Sequence, residues 1–402
     1  MANTLLTIGM ITREALRVLE NNLRFAKFVN RDYDAKYGVE GAKIGTTLNI
    51  RKPVRYIGRT GQALAVEDAT ETQVALVLDT QFGVDISFTS EDLALSIDDF
   101  SQRFISPAVS TIANKIDFDG LNLYRDVYNA VGTPGTVPTA LLTYLQGNQK
   151  LNEEAAPLDG MRANLLSPAM EVKIVDALKG LFQASTAIAE QYRRGRMGTA
   201  IGLEWEMDQN VRTHKTGAQG GTPLVNGAAQ TGASLITDGW TASVTGLLKK
   251  GDVFTIADVN AVNPQNRQST GALRQFVVVA DVDSSGAGAA TITISPSIVA
   301  SGAFKTVDAA PADNAAITVL GAASTQSPTG LIFHRDAFTL AMADLPLPRG
   351  VDMADRVADK QLGVSIRIVR QYDINTDKFP CRLDVLYGWK TIYPELACRV
   401  QS

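Results

Sequence analysis

The stretch Ser96 to Gly132, SIDDFSQRFISPAVSTIANKIDFDGLNLYRDVYNAVG, decides the fold, because it carries the longest helical pattern in the chain. Phe100, Phe104, Ala108, Ile112 and Ile116 recur at intervals of four, and Leu123 and Val127 resume the stripe after Gly120, so one apolar face persists over most of its length. Ser96 and Asp99 have the spacing of a capping box. Pro107 has no amide hydrogen, so it either kinks one helix or takes the first position of a second one capped by Ser106. In the second case the rod spans Ser106 to Asn129, about 36 Å at 1.5 Å per residue.

Around this rod the composition sets the class. At 402 residues the chain is long for one core, so two or more domains are expected. The 38 basic and 42 acidic residues leave a net charge of -4, which excludes a strongly basic nucleic-acid binder. Cys381 and Cys398 are too few for a multi-bridge secreted framework and lie in apolar strand-like runs, where buried free thiols are expected. The opening MANTLLTIGMITRE lacks the basic start and apolar core of a signal peptide, and no run of about 18 apolar residues occurs. A soluble protein of mixed α and β structure, made in a reducing compartment, is the expectation.

Upstream of the rod, an amphipathic helix is expected from about Thr12, with Leu16, Leu19, Leu23 and Ala26 on one face and Arg13, Arg17, Arg24, Lys27 and Arg31 mostly off it. Such an arm suits nucleic acid or an acidic partner, and a solvated helix face accounts for the same charges. From Gly45 the period becomes two, with Leu48, Ile50, Val54 and Tyr56 alternating with Asn49, Arg51 and Arg55. Gly58 and Gly61 mark a loop, and the chain returns from Val74 to Phe88 as one strand of about 15 residues, roughly 50 Å long. A strand of that length outreaches a compact domain, so Gly41 to Thr80 reads as a two-stranded arm that projects and needs another subunit to lie on. Arg51, Lys52, Arg55 and Arg59 cluster on its outgoing strand and distal loop, and Glu67, Asp68 and Glu71 lie on the way back. These opposite charges suit pairing with a neighbouring copy; alternatively they keep an exposed hairpin soluble.

Downstream, Leu141 to Leu151 is a short helix and Asn164 to Leu166 a strand end. Ser167 then caps a helix opened by Pro168, with Met170, Ile174, Val175 and Leu178 inward. Arg193, Arg194 and Arg196 precede a strand at Ile201 to Met207, and without a Gly-rich helix start beside them they read as a surface or subunit contact. From Thr216 to Pro328 the only basic residues are Lys249, Lys250, Arg267, Arg274 and Lys305, against seven aspartates. Short β runs recur there at Ser243 to Leu248, Val253 to Ile256, Gln275 to Ala280, Thr291 to Ile294 and Ile317 to Leu320, which predicts an inserted all-β domain, a small barrel or sandwich. LIFHRDAFTLAMADLP, from Leu331, reads as a strand and a helix ended by Pro346 and Pro348. Strands at Val364 to Tyr372 and Cys381 to Trp389, joined by a turn at Asn375 to Lys378, and a third run at Leu396 to Val400 make a closing meander. The fold class is α+β.

No constellation of catalytic or ligand residues emerges. His214 and His334 have no Cys or carboxylate at metal-ligand spacing, and there is no phosphate loop, nucleophile elbow or dinucleotide fingerprint. Asp98 with Asp99, and Glu153 with Glu154, are adjacent on helices and so point different ways. The expectation is no catalytic residue, no metal, no cofactor and no enzyme.

The order of parts, an amphipathic N-arm, a long hairpin arm, a spine helix, a mixed α/β domain and closing strands, resembles that of tailed-phage major capsid proteins. LLSPAMEVKIVDALKGLFQAS followed by RRGRMGTAIGLEWEMDQNV is similar to their strand, helix and strand, and RLDVLYGWKTIYPELACRV to their closing strands. LLKKGDVFTIADVNAVNPQNRQSTGALRQFVVVADV resembles the insertion domain of the podophage coat-protein branch. The resemblance implies the Hong Kong-type capsid fold, with an N-terminal arm (1–37), an extended hairpin arm (38–80), a peripheral domain with the spine helix (81–155), an axial domain in two parts (156–215 and 329–350), an inserted β domain (216–328) and closing peripheral strands (351–402). It implies a coat subunit that assembles with itself into pentamers and hexamers around a scaffolding protein, admits a portal protein at one vertex and encloses double-stranded DNA without sequence preference. Its place is then the virion, after assembly in the host cytoplasm, with no membrane contact. In that branch a loop of the insertion reaches a neighbouring capsomer through charged residues, whereas Val225 to Ser234 carries no charge, so a contact there is of another kind. The alternative reading is a two-domain enzyme or carbohydrate-binding protein with its site between the insertion and the body.

Overall fold

The computed structural model describes residues 15, 19, 23–32, 47–64, 66–89, 106–178, 198–359 and 364–402. Its first strands are β1 (Thr47–Lys52), β2 (Thr72–Val77), β3 (Thr80–Thr89), β4 (Ala130–Val131), β5 (Arg162–Leu166), β6 (Gly198–Ala200), β7 (Leu203–Met207) and β8 (Thr213–Lys215). Then come β9 (Gly221–Val225), β10 (Gly232–Trp240), β11 (Val253–Val262), β12 (Ser269–Val278), β13 (Ala290–Ile298) and β14 (Ile317–Val319). The last are β15 (Gln326–His334), β16 (Phe338–Ala343), β17 (Met353–Asp359), β18 (Val364–Arg370), β19 (Lys378–Thr391) and β20 (Ala397–Gln401). The α-helices are α1 (Ser106–Leu121), α2 (Leu141–Glu153) and α3 (Pro168–Leu178). The chain divides into two compact units, one of residues 1–50, 73–120 and 338–390, the other of 51–72, 121–337 and 391–402.

In the first unit α1 carries the apolar face that its sequence predicts, with Ala108, Val109, Ile112, Ala113 and Ile116 buried. The helix begins at Ser106 with Pro107 in its first turn. It ends at Leu121, short of the expected Asn129, and a 3-10 turn follows over Asn122–Asp126. Leu121, Tyr124 and Val127 are buried while Leu123 is only half so, which is the three-residue spacing of the tighter helix. Asp117 of α1 accepts hydrogen bonds from the amides of Arg24 at 2.6 Å and Ala26 at 3.0 Å, fixing the segment before it in sequence. Phe25 of that segment stacks on Trp389 at 5.2 Å, and the Trp389 indole N–H donates to the Ile116 carbonyl at 3.1 Å.

The sheet of this unit places β19 beside β16, β18 and β3, with β17 outside β18. Two expectations are corrected here. The return strand of the arm is not continuous but breaks at Leu78 and Asp79; β2 pairs β1, whereas β3 pairs β19 over ten residues, from Thr89 opposite Lys378 to Thr80 opposite Tyr387. The helix expected after His334 is instead the strand β16, whose first five residues are buried; with both faces covered its sequence shows no alternation.

The second unit holds two sheets. In the first the order is β4-β20-β15-β5-β7-β6, with β8 also on β15. β5 and β7 run parallel, joined through α3. The Ser167 hydroxyl caps α3, accepting the Met170 amide at 3.3 Å. The strand expected at Ile201 to Met207 is β7, which begins at Leu203 because Ile201, at φ 58°, lies in a turn that joins it to the additional strand β6. Tyr144 and Leu151 of α2, Met170 and Ile174 of α3 and Trp205 share one core under this sheet. β20 belongs here, antiparallel to β15, and the expected third strand of the meander is therefore in the wrong sheet; the meander is β17, β18 and β19.

The insertion forms the second sheet, in the order β14-β11-β12-β13-β10-β9. Leu224 on β9 bridges to Ala316 just before β14, so the six strands close into a barrel. Its core includes Leu235, Trp240, Phe254, Phe276 and Ile292, all nearly inaccessible. β9 and β10 were not foreseen, and the strand expected at Ser243 to Leu248 is a series of turns.

Candidate assembly interface

The hairpin of β1 and β2 continues into a long loop from Pro53 to Glu71, most of it exposed. Gly58 and Gly61 have φ of 77° and 98°, values open to glycine, and they let the loop fold back on itself. The carboxylate of Glu67 accepts the amides of Ile57 and Gly58, both at 2.7 Å, and braces this turn. The Arg59 guanidinium donates to the Gly61 carbonyl.

Charge pairing is largely internal. Arg51 lies 3.6 Å from Glu71 across the hairpin, and Arg55 lies 3.5 Å from Glu395 and over the Phe304 ring. Lys52 sits 4.9 Å above the Tyr393 ring, and burial pulls its ammonium below the ordinary lysine range, against the opposing pull of Glu395. Asp68 is exposed. Arg193, Arg194 and Arg196 lie outside the described residues. What the loop presents instead is apolar: Leu64 is 83% and Val66 81% exposed, with Tyr56 and Ile57 also open. The sequence carries this signal as Leu64 and Val66, a pair of apolar residues between two charged stretches.

The uncharged loop of the insertion is tied down. Gln230 donates to the carbonyls of Asn226 and Ile236 and accepts the Ile236 amide, while the amides of Gly227 and Ala229 reach Asp313 and the Pro311 carbonyl. These bonds tie the loop to the segment from Pro311 to Asp313.

The root of the insertion is held by buried polar groups. Arg399 on β20 is wholly buried; its guanidinium donates to the Val127 and Gly251 carbonyls and lies 5.6 Å over the Tyr124 ring. Burial pulls its pKa down to about 10. The Tyr124 hydroxyl is hydrogen-bonded to His214 Nδ1 at 3.0 Å, and His214 Nε2 to Asp252 at 2.8 Å. Asp252 also accepts the amides of Gly217 and Lys249, so β8, the start of the insertion and the turn before β11 are linked through one carboxylate. Nearby, Arg274 of β12 pairs with Glu154 at 2.5 Å, both nearly inaccessible. Burial pushes Glu154 above the ordinary carboxyl range, while Glu154 holds Arg274 charged. His334 lies 3.1 Å from Asp159, so both histidines have carboxylate partners that their sequence neighbourhood does not reveal. Among the described residues no group of three His, Cys, Asp or Glu is arranged to hold a metal, and no helix is long and apolar enough to cross a membrane.

A curated relative, the major capsid protein of Acyrthosiphon pisum secondary endosymbiont phage 1, is 23% identical over 250 residues, 58% of this chain and 58% of that protein. The match therefore spans little more than half the relative's length. A solved structure from Mycobacterium phage Che8 aligns over 94% of this chain and 90% of its own, with 12% identity and a TM-score of 0.48. The CUS-3 coat protein I-domain matches 25% of this chain and 96% of its own, with 32% identity and a TM-score of 0.19. The family model described as P22 coat protein, gene protein 5, matches residues 1–400. Since that match runs along essentially the whole sequence, the chain belongs to the P22 coat protein family of tailed-phage major capsid proteins.

Proposed function

We propose that this chain is the shell-building subunit of a phage head, self-assembling into pentamers and hexamers of an icosahedral capsid. The observation that carries the reading is the family match along residues 1–400. On this reading it assembles around a scaffolding protein in the host cytoplasm, admits a portal protein and encloses double-stranded DNA. Its net charge of -4 favours weak, non-specific contact with that DNA. Of the domain layout implied by the capsid resemblance, residues 216–328 are kept as the inserted β domain and the hairpin of β1 and β2 as the extended arm. An enzymatic role is not favoured, because the family is a structural one.

The loop between β1 and β2 is the proposed main inter-subunit contact. Leu64 and Val66 are almost fully exposed at its tip, and burying two such side chains is worth about 3 to 6 kcal/mol per contact, whereas exposed ion pairs contribute about 0 to 1 kcal/mol each. Asp68 and Arg59 flank the tip in sequence, and Arg193, Arg194 and Arg196 are retained as a second candidate contact. Replacing Leu64→Ser and Val66→Ser should leave the circular dichroism of the subunit unchanged and abolish shells in negative-stain images. Normal shells at normal yield from the double variant would remove the tip from the interface. A parent protein that gives no particle with its scaffold would refute the coat assignment itself.

A further inference from the structure

A cleft of about 390 Å³ opens at the root of the insertion, between β8 and the turn that precedes β11. Tyr124 and His214 lie along it, and four basic residues line it: Arg125, Lys215, Lys249 and Lys250. That concentration is unusual for this part of the chain, since Thr216 to Pro328 holds only five basic residues and two of them are Lys249 and Lys250.

The charges do not cancel. Lys249 Nζ lies 3.1 Å from Asp281 and Lys250 Nζ 3.6 Å from Asp126. Arg125 lies over the Tyr124 ring and Lys215 is exposed; among the described residues neither has a carboxylate within 4.0 Å. Two positive charges are therefore left over. Glycines keep the space open beneath them. A Cβ on Gly246, at φ 65°, would fall 2.9 Å from the Lys249 ammonium, and one on Gly251, at φ 102°, would fall 3.1 Å from the Arg125 stem and 3.2 Å from the His214 ring.

The cleft already recognises one oxyanion. Asp281 accepts the Lys250 amide at 2.7 Å and the Lys249 ammonium at 3.1 Å, and these contacts, the amide first, hold its carboxyl below the ordinary range. A backbone N–H combined with lysine ammonium and arginine guanidinium is the donor set that phosphate oxygens use in proteins. The surplus of two charges matches a phosphate dianion.

We propose that this cleft binds a phosphate-class oxyanion, free or as the terminal group of a small phosphorylated ligand, held by Arg125, Lys215 and Lys249. Because Arg125 and Lys215 precede the barrel strands in the chain and Lys249 lies within the insertion, the bound anion bridges the insertion's root to the elements that carry it.

The test is calorimetric titration of the whole subunit with inorganic phosphate, and separately with glycerol phosphate, against chloride at matched ionic strength. Tighter binding of the monoester would identify a phosphorylated small molecule as the source, and equal binding would identify free phosphate. The pair Lys215→Gln and Lys249→Gln should weaken binding about tenfold or more, the scale of losing charge-assisted hydrogen bonds. Asp281→Asn removes the competing carboxylate and should tighten binding. Both variants alter exposed side chains, and circular dichroism checks that each is folded; Lys215→Gln alone serves if the pair is not. No binding beyond chloride, or affinities that none of these substitutions moves, would overturn the proposal.

Discussion

Arg274 and Glu154 show how a single pair of residues sets a cost that the rest of the unit must carry. Both side chains are nearly excluded from water, and Arg274 also lies 4.5 Å from the Tyr128 ring. Desolvation opposes the charge on Glu154, and the guanidinium offsets only part of it. Removing one partner alone therefore leaves an uncompensated buried carboxylate. Arg274→Met should destabilise the subunit by about 3 to 5 kcal/mol in denaturant titrations, while adding Glu154→Leu should restore most of that loss. The single variant should also regain stability as pH falls, because a carboxyl whose folded pKa is raised binds its proton in the native state first, and stability is lost as pH rises through that window. A single variant as stable as the parent at neutral pH would mean that water reaches the pair. Neither this pair nor the link from Arg399 to the Gly251 carbonyl was legible in the sequence. Their members are separated by more than a hundred residues, and an arginine inside an apolar strand such as β20 reads as an exposed position.

Among the elements, α1 was the most legible and its end the least. The four-residue stripe identified its buried face, but nothing in the stripe marks where Trp389 closes on the helix. Gly120 is the mark. A Cβ there would lie 2.5 Å from the Trp389 ring and 2.8 Å from Phe25, and Trp389 is held by its own hydrogen bond and stacking. Two effects compete in Gly120→Ala: helix propensity favours alanine by about 1 kcal/mol, and overpacking opposes it by about 1 to 3 kcal/mol. Since neither ring has room to yield, the variant should melt several degrees lower than the parent in thermal scans; a higher melting temperature would show that the rings move aside. Alternation made some strands with one wet face legible but not all, since β10 alternates between buried and exposed residues and was missed. β18 and β19 alternate and were found, whereas β16 is covered on both faces and looked like a helix. Alternation also runs without interruption from β2 into β3, because period two records which face is inward and not which strand is the partner. In the arm, the charges were visible but their destinations were not: Glu67 serves backbone amides of its own loop, a role that no spacing announces.

At the scale of the molecule, the insertion has the makings of an independent folding unit. Its barrel core, from Val225 to Ile317, draws only on residues of the insertion, and its seam with the elements that carry it combines polar contacts of Asp252, Arg274 and Gln275 with an apolar cluster in which Val253 and Val277 meet Tyr128 and Ala130. Polar groups released from this seam are hydrated, and on the insertion's side the apolar cluster comprises only Val253, Val277 and Leu320, small beside the barrel core. Residues 216–328 expressed alone should give a well-dispersed amide spectrum, and a collapsed one would count against these boundaries. The other sheet of that unit behaves differently, because β20 lies inside it, between β4 and β15, although it follows every other described strand in the chain. Until Ala397–Gln401 leaves the ribosome, β4 and β15 face a gap, and Arg399 has not yet reached the carbonyls of Val127 and Gly251. A chain that lacks Ala397–Gln401 therefore lacks the strand that joins β4 to β15, and with it the buried guanidinium that ties the sheet to the root of the insertion.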